Sequence, residues 1–393
     1  MRPFRPRHRD RGASALEYAA VLALVAALVG GFVKLALPTR VGSNTKAAIC
    51  RIFQSGTKCA GATASPVASS SPCQAFCPTA TNPIHPSDPV TAATKGNYVA
   101  LGDSYSSGEG AIDYDPKSSK DKCHRSANAY SQVVDKKYRF NDGTSFFACS
   151  GATTDNLLHG QNGEPAQIVD NPNLNAKTTL VTLSIGGNDL GFADVVTACA
   201  MDLHVHWPWD HPTDQCHAQQ ASIQQKMKAL FGPPEPSKYE KVLEQIHSQA
   251  PNARIVVVGY PQLFPDPPEH DYLNFTKDDQ AFLNNMAKQV DQKIQEQVQA
   301  EDQKYYGNGK QAMGSFEYVD TNAAFKGHHA SSIPWESPWI HPIWLNCQDG
   351  SFNTKDKCVN PGSFHPTKEG QAAMANVVNN EIANGPGRTL YDP

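Results

Sequence analysis

Two short segments, Leu180-Val181-Thr182-Leu183-Ser184-Ile185 and Ile255-Val256-Val257-Val258, carry no charged residue and read as strands that are apolar throughout instead of alternating. Strands of this kind belong in the middle of a sheet covered on both faces, which favours parallel strands joined by helices. The surrounding pattern agrees. From Asn97 onward, strand patterns at 98–101, 144–149, 179–185, 254–259 and 316–319 are separated by helical patterns at 127–138, 222–230, 237–249, 277–305 and 366–382. Ser237 with Glu240 forms a capping box, and Pro366 suits a first helical position. The expectation is an α/β fold: a three-layer α/β/α sandwich around a five-stranded parallel sheet with right-handed crossovers. Segments 193–220 and 331–357 are long connections for such a fold.

Open parallel sheets expose reactive groups at the carboxyl ends of their strands. In Tyr98-Val99-Ala100-Leu101-Gly102-Asp103-Ser104-Tyr105-Ser106, a strand breaks at Gly102 into a turn that presents Ser104. Gly-Asp-Ser alone is an ordinary surface turn, and its weight comes from three other segments. The strand at 179–185 runs into Gly186-Gly187-Asn188-Asp189, the strand at 144–149 into Ser150-Gly151, and Phe364-His365-Pro366-Thr367 precedes the last helical pattern. In that order the four blocks resemble the SGNH (GDSL-type) hydrolase family over about residues 97–382. The cysteine spacing is similar to the secreted esterase/lipase branch found in actinobacteria.

That resemblance implies a flavodoxin-like fold and roles for particular residues. Ser104 would be the nucleophile and His365 the base that activates it, since a free serine hydroxyl is too weakly acidic to attack an ester at neutral pH. Most of the other thirteen of the fourteen histidines, such as His247 on a helical pattern or His85, read as solvated or packed. The oxyanion hole would use the Ser104 N–H, the Gly151 N–H and the Asn188 side-chain amide; plain turn residues are the alternative reading of Gly151 and Asn188. Many members of the family place an Asp three residues before the histidine, where this chain has Gly362. By analogy the Gly362 carbonyl would hold the His365 ring, a dyad instead of a triad, with Asp349 or Asp356 as the less supported choice. Asp103 and Asp189 read as structural, because the chemistry leaves them no proton to move. An α/β-hydrolase elbow is excluded: it requires Gly-x-Ser-x-Gly, and Ser106 stands at the second glycine. No cofactor is required, and no glycine-rich phosphate loop signals one.

Ten cysteines point to an oxidising compartment. The resemblance implies loops stapled by three local disulfides, Cys123–Cys149, Cys199–Cys216 and Cys347–Cys358, although sequence does not fix connectivity. Cys50, Cys59, Cys73 and Cys77 lie in a separate segment, with two further bridges as one option. His204, His206, His211 and His217 beside Cys199 and Cys216 raise the question of zinc, but a compact Cys-x-x-Cys pair or His-Glu-x-x-His helix is lacking. The reading is therefore no metal. Nucleic acid is excluded as a partner by the lack of a basic patch with interleaved aromatics. Five Arg and one Asp in the first twelve residues leave −8 of charge on the rest of a chain whose total is −4.

The N-terminus reads as an address and an anchor. Residues 1–12 form a basic leader, and 18–37 are apolar except for Lys34, about one bilayer crossing. The basic flank would stay cytoplasmic and place the bulk of the chain outside. Around Arg11-Gly12-Ala13-Ser14-Ala15-Leu16-Glu17-Tyr18 the sequence is similar to Flp-type or TadE-like pilins, which implies a prepilin peptidase cutting after Gly12. An uncut span or an ordinary secretory signal are the alternatives. The organisation expected is thus a leader (1–12), a transmembrane or pilin-like helix (13–37), a cysteine-containing stalk and Ala/Ser/Thr/Pro-rich linker (38–94), and a catalytic domain (95–393), all extracytoplasmic beyond the anchor.

The functional expectation is a serine esterase or lipase acting on lipid or short acyl esters. A segment at 333–344 holds Trp335, Trp339 and Trp344, which would either line an acyl-binding wall or form the core of a stapled loop. Rival readings are a non-catalytic surface or pilus-associated binding module on a hydrolase fold, and a carbohydrate deacetylase or acyltransferase using the same residues.

Overall fold

The computed structural model describes residues 85–392, with 170, 202–214, 273–274, 332–336 and 344–359 outside the described residues. The leader, the 13–37 span, the four N-terminal cysteines, His204, His206, His211, Trp335, Trp344, Asp349, Asp356 and the expected Cys347–Cys358 bridge also lie outside them. Among the described residues no helix is long and apolar enough to cross a membrane. The chain divides into two units, Met1–Phe76 and Cys77–Pro393, and the second contains everything that follows.

Strand β1 (His85–Ser87) and helix α1 (Pro89–Thr94) lead into β2 (Asn97–Ala100), α2 (Ser104–Ser107), α3 (Pro116–Lys120) and α4 (Tyr130–Lys137). Then come β3 (Thr144–Phe146), α5 (Thr154–His159), β4 (Thr178–Leu183), α6 (Phe192–Met201), α7 (Gln220–Phe231) and α8 (Lys238–Gln249). The chain continues through β5 (Arg254–Val258), α9 (Lys277–Tyr306), β6 (Ser315–Val319), α10 (Lys368–Asn384) and β7 (Leu390–Asp392). The main sheet has the order β3-β2-β4-β5-β6, and every pairing in it is parallel. Helices α1, α4 and α10 pack together as one layer, while α5, α7, α8 and α9 pack together as the other. The three-layer sandwich follows directly from the strand chemistry: every residue of β2, β4 and β5 is buried, so both faces need a helical cover.

The last helix is tied to the sheet by a buried ion pair. Arg254 in β5 gives two parallel hydrogen bonds to Glu317 in β6, at 2.8 and 2.6 Å, and neither side chain reaches solvent. The remaining guanidinium hydrogens go to the carbonyls of Pro89, Ile382 and Glu381, each at 2.8 Å. Full satisfaction makes such a burial tolerable, and here it joins two strands to the carboxyl end of α10.

Three expectations need correction. Residues 85–94, read as the end of a linker, are ordered: β1 pairs antiparallel with β7, and Asp88 caps α1 through the Thr91 N–H. Composition missed this because the segment is held by backbone pairing and by the small, fully buried Ala92 and Ala93. Helix α10 begins at Lys368, with Thr367 as its cap, because Pro366 instead bridges to Ile340. Within the stretch read as a stapled loop at 193–220, part is helical: α6 carries Cys199, which is joined to Cys216. The Cys123–Cys149 bridge is also present.

Candidate active site

The order β3-β2-β4 reverses the direction of winding on either side of β2, so the crevice between β2 and β4 is the topological switch point of the sheet. Gly102 ends the strand side of that crevice. Its φ of +119°, and the 2.4 Å and 2.6 Å that a Cβ would have to the Ser184 carbonyl and the Ser106 hydroxyl, require glycine. Asp103 then caps α2 by accepting from the Tyr105 N–H at 3.0 Å. Ser104 becomes the first residue of the helix, buried but at the site's surface, with an N–H that donates no hydrogen bond among the described residues.

His365 approaches from the loop before α10. Its Nε2 lies 2.7 Å from the Ser104 hydroxyl oxygen, and its Nδ1 lies 3.0 Å from the Ser363 carbonyl. A proton on Nδ1 satisfies that carbonyl and leaves Nε2 free to accept from the serine. The expectation for Gly362 is overturned: its carbonyl accepts the backbone N–H of His365 at 3.3 Å and so closes the turn, while the ring meets the Ser363 carbonyl. Phe364, between them, has φ +57°, a left-handed conformation that a bulky residue avoids. The surroundings hold it there. Its ring packs edge-on against Phe264 and Phe275, and its carbonyl accepts from the Tyr105 hydroxyl at 2.8 Å. Desolvation holds the His365 pKa below its ordinary value; Glu109 and the Ser363 and Pro361 carbonyls oppose that, and His341 adds to it.

Gly151 turns with φ +79° in open space, and its N–H has no partner among the described residues. Asn188 donates one amide hydrogen to the Ala152 carbonyl at 2.9 Å, which ties the β4 loop to the Gly151 turn. Asp189 accepts from both the N–H and the hydroxyl of Thr154, at 2.9 and 2.6 Å, and so holds the start of α5. Asp103, 1% exposed, accepts from Ser184 at 3.1 Å and Tyr260 at 2.5 Å; desolvation still pushes its pKa up to about 7.

Several supporting residues escaped the sequence reading. Gln167 grips Gly102 on both sides, accepting its N–H at 2.8 Å and donating to its carbonyl at 2.9 Å. Tyr260, just after β5, connects Asp103 to the Gly187 N–H at 3.0 Å, so one phenol fixes the serine turn and the asparagine turn together. Ser106 bonds Ser184 and Tyr130. Gln167 and Tyr260 lie in no short motif; a polar residue just beyond an apolar strand was the only signal for Tyr260. Of the tryptophan segment, Trp339 is half-buried and stacks on His328 at 3.7 Å.

Among the described residues, the two gatherings of three metal-ligand side chains are Cys216/His217/Asp279 and Asp121/Cys123/Glu164. In each the sulfur is already in a disulfide and offers no thiolate. Arg125 occupies the second set by pairing with Asp121 and Glu164.

A serine, an imidazole and several hydrogen-bond donors at the switch point of a parallel sheet define a serine hydrolase architecture. Residues 100–373 match the GDSL-like Lipase/Acylhydrolase family, and the chain belongs to it. It is 31% identical to Lipase 1 of Streptomyces coelicolor over 71% of this chain and 84% of that one. It is 32% identical to a lipase of Streptomyces rimosus over 70% and 82% of the two chains. Among solved structures, a phospholipase A1 from Streptomyces albidoflavus aligns with a TM-score of 0.55 at 30% identity, covering 73% of this chain and 99% of its own. An extracellular lipase from Streptomyces rimosus aligns with a TM-score of 0.53 at 28% identity, covering 72% and 99%. The chain is a carboxylic ester hydrolase.

Proposed function

We infer that the chain is an extracytoplasmic lipase or esterase in which Ser104 and His365 act as a dyad. The carrying observation is the continuous line from the Ser104 hydroxyl through the imidazole to the Ser363 carbonyl, with contacts of 2.7 and 3.0 Å. As Ser104 Oγ bonds to the ester carbon, its proton passes to Nε2, and the carbonyl π electrons move onto oxygen. The Ser104 and Gly151 N–H groups, with the second amide hydrogen of Asn188, stabilise that oxyanion, each donor contributing about 10²–10³ in rate. The imidazolium returns the proton to the leaving alcohol as the C–O bond breaks. Water, deprotonated by the same nitrogen, then releases the acid. The neutral Ser363 carbonyl does the orienting that an aspartate does in a triad.

Acyl esters of lipids are the substrates favoured by the relatives, which are named lipases and a phospholipase A1. Placement outside the cytoplasm is supported by the disulfides and by the extracellular lipase it resembles. The apolar segment at 18–37 supports tethering to a membrane, with prepilin-type processing after Gly12 as the route. Hydrolysis of p-nitrophenyl esters from acetyl to long-chain acyl tests the assignment. Ser104→Ala is expected to lower kcat by about 10³-fold or more. Equal rates for the folded variant and wild type sink the dyad, and ester formation with an added alcohol shows transfer instead of hydrolysis. The N-terminal residue of the membrane-fraction protein tests the processing.

A further inference from the structure

A carbonyl orients His365 but brings no full negative charge to the imidazolium that forms when Ser104 is deprotonated. Glu109 is a buried carboxylate whose charge acts on that ring. Glu109 is 3% exposed and sits just after α2, where its N–H donates to the carbonyl of Ser104 itself at 3.0 Å. The next residue, Gly110, packs against His365: a Cβ on it would lie 3.0 Å from the His365 Cβ, and its carbonyl accepts from His341 Nε2 at 2.8 Å. The segment that carries the nucleophile thus delivers Glu109 to the flank of the histidine.

The carboxylate is elaborately held for a residue outside the reacting atoms. His124 Nδ1 lies 2.6 Å from Oε2, the Tyr114 hydroxyl donates to Oε1 at 3.2 Å, and the Ser150 side chain lies beside it. Tyr114 in turn stacks on His124 with centroids 5.1 Å apart and accepts the Gly110 N–H at 2.9 Å. His124 follows Cys123, whose carbonyl holds the Ser150 N–H at 3.0 Å next to Gly151. The cluster therefore reaches the histidine on one side and the oxyanion turn on the other.

We propose that Glu109 is a positioning residue that stabilises the protonated form of His365 electrostatically, in place of the missing triad aspartate, and that His124 sets how much of its charge His365 feels. This rests on the Ser104–His365 reading above. The charges arranged around the pair support it. Glu109 favours the charged form of His365, His341 opposes it, and Glu369 acts on His341. His124 is held above its ordinary pKa chiefly by Glu109, with Asp121 adding to the effect. Despite its burial, Glu109 is kept below the ordinary carboxylate value by His124, His365 and Ser150. A carboxylate that stays ionised in a dry site acts strongly on a neighbouring cation.

The test is the pH dependence of ester hydrolysis by the full chain, in which activity falls on the acid side as His365 becomes protonated. Glu109→Gln is expected to move the acid midpoint of kcat/KM down by about half a unit or more. It should also lower kcat by about tenfold with KM within about twofold, while Glu109→Asp restores most of both. His124→Gln removes the neutralising cation and is expected to move the midpoint up, opposite in sign, which a purely structural defect would not do. An unshifted midpoint in folded Glu109→Gln, or equal behaviour of the Asp and Gln variants, overturns the proposal. If Glu109→Gln does not fold, a His124→Gln midpoint that is unchanged or lower overturns it. Unaltered hydrolysis by Ser104→Ala would instead overturn the dyad, a different outcome from either.

Discussion

Asp291 offers a quantitative test of the framework beneath the site. It lies on α9, 6% exposed, where Oδ1 accepts the Tyr260 N–H at 3.0 Å. Tyr260 is the residue whose hydroxyl joins the serine and asparagine turns. Desolvation pushes the Asp291 pKa from 3.8 up to about 7, with Asp320 adding to it and the Tyr260 N–H, Tyr318 and Asn322 opposing it. Between those two values the folded chain keeps a proton that the unfolded chain releases. Stability from this group is therefore complete below about pH 4 and is lost as pH rises through about 7. At about 1.4 kcal/mol per unit, the shift of roughly three units sets a ceiling of about 4 kcal/mol. Asp291→Asn keeps an Oδ1 acceptor for Tyr260 and has nothing to titrate. Urea unfolding of both proteins near pH 4.5, 6.0 and 7.5 should show the variant gaining on wild type, by up to about 3 kcal/mol across the range. Titrating groups that do not interact with Asp291 are common to both proteins and cancel. A stability difference that stays constant with pH would refute the reasoning.

Three further outcomes follow from the same geometry. Arg254→Met leaves Glu317 buried without its partner and should cost about 3–5 kcal/mol in denaturant unfolding, with a loss of activity no larger than the loss of folded protein. Replacing Cys123 and Cys149 together by Ala opens a loop whose ends are 26 residues apart; chain entropy puts the cost at about 3.5 kcal/mol, read as a fall in the urea midpoint. Because desolvation outweighs the groups that favour a charged His365, the acid midpoint of wild-type kcat/KM should lie below 6.5, and a midpoint above 7 contradicts that balance.

The fold was legible because its signals are local and physical. Strands buried on both faces have to be apolar, and the observed β4 and β5 fall within one or two residues of the segments read from that pattern. Ser237 and Glu240 form the reciprocal cap that their spacing implies. Short elements were less visible. Helix α1 is held by small side chains and β1 by backbone pairing, and neither leaves an apolar period in the sequence.

What the sequence determined alone was the α/β architecture, the serine at a strand end and a histidine before the last helix, since each depends on neighbours along the chain. Tertiary structure decided what those groups touch. Ser363, not Gly362, meets the His365 ring across a turn in which Phe364 takes a positive φ with its ring packed on aromatic residues of a distant segment. Tyr260, Gln167 and Glu109 reach the site through loops separated from their partners by up to 157 residues, or through a buried turn whose direction no local pattern encodes. A hydrogen bond or a Coulomb interaction depends on distance in space, and sequence records that distance only when the partners share one turn or strand.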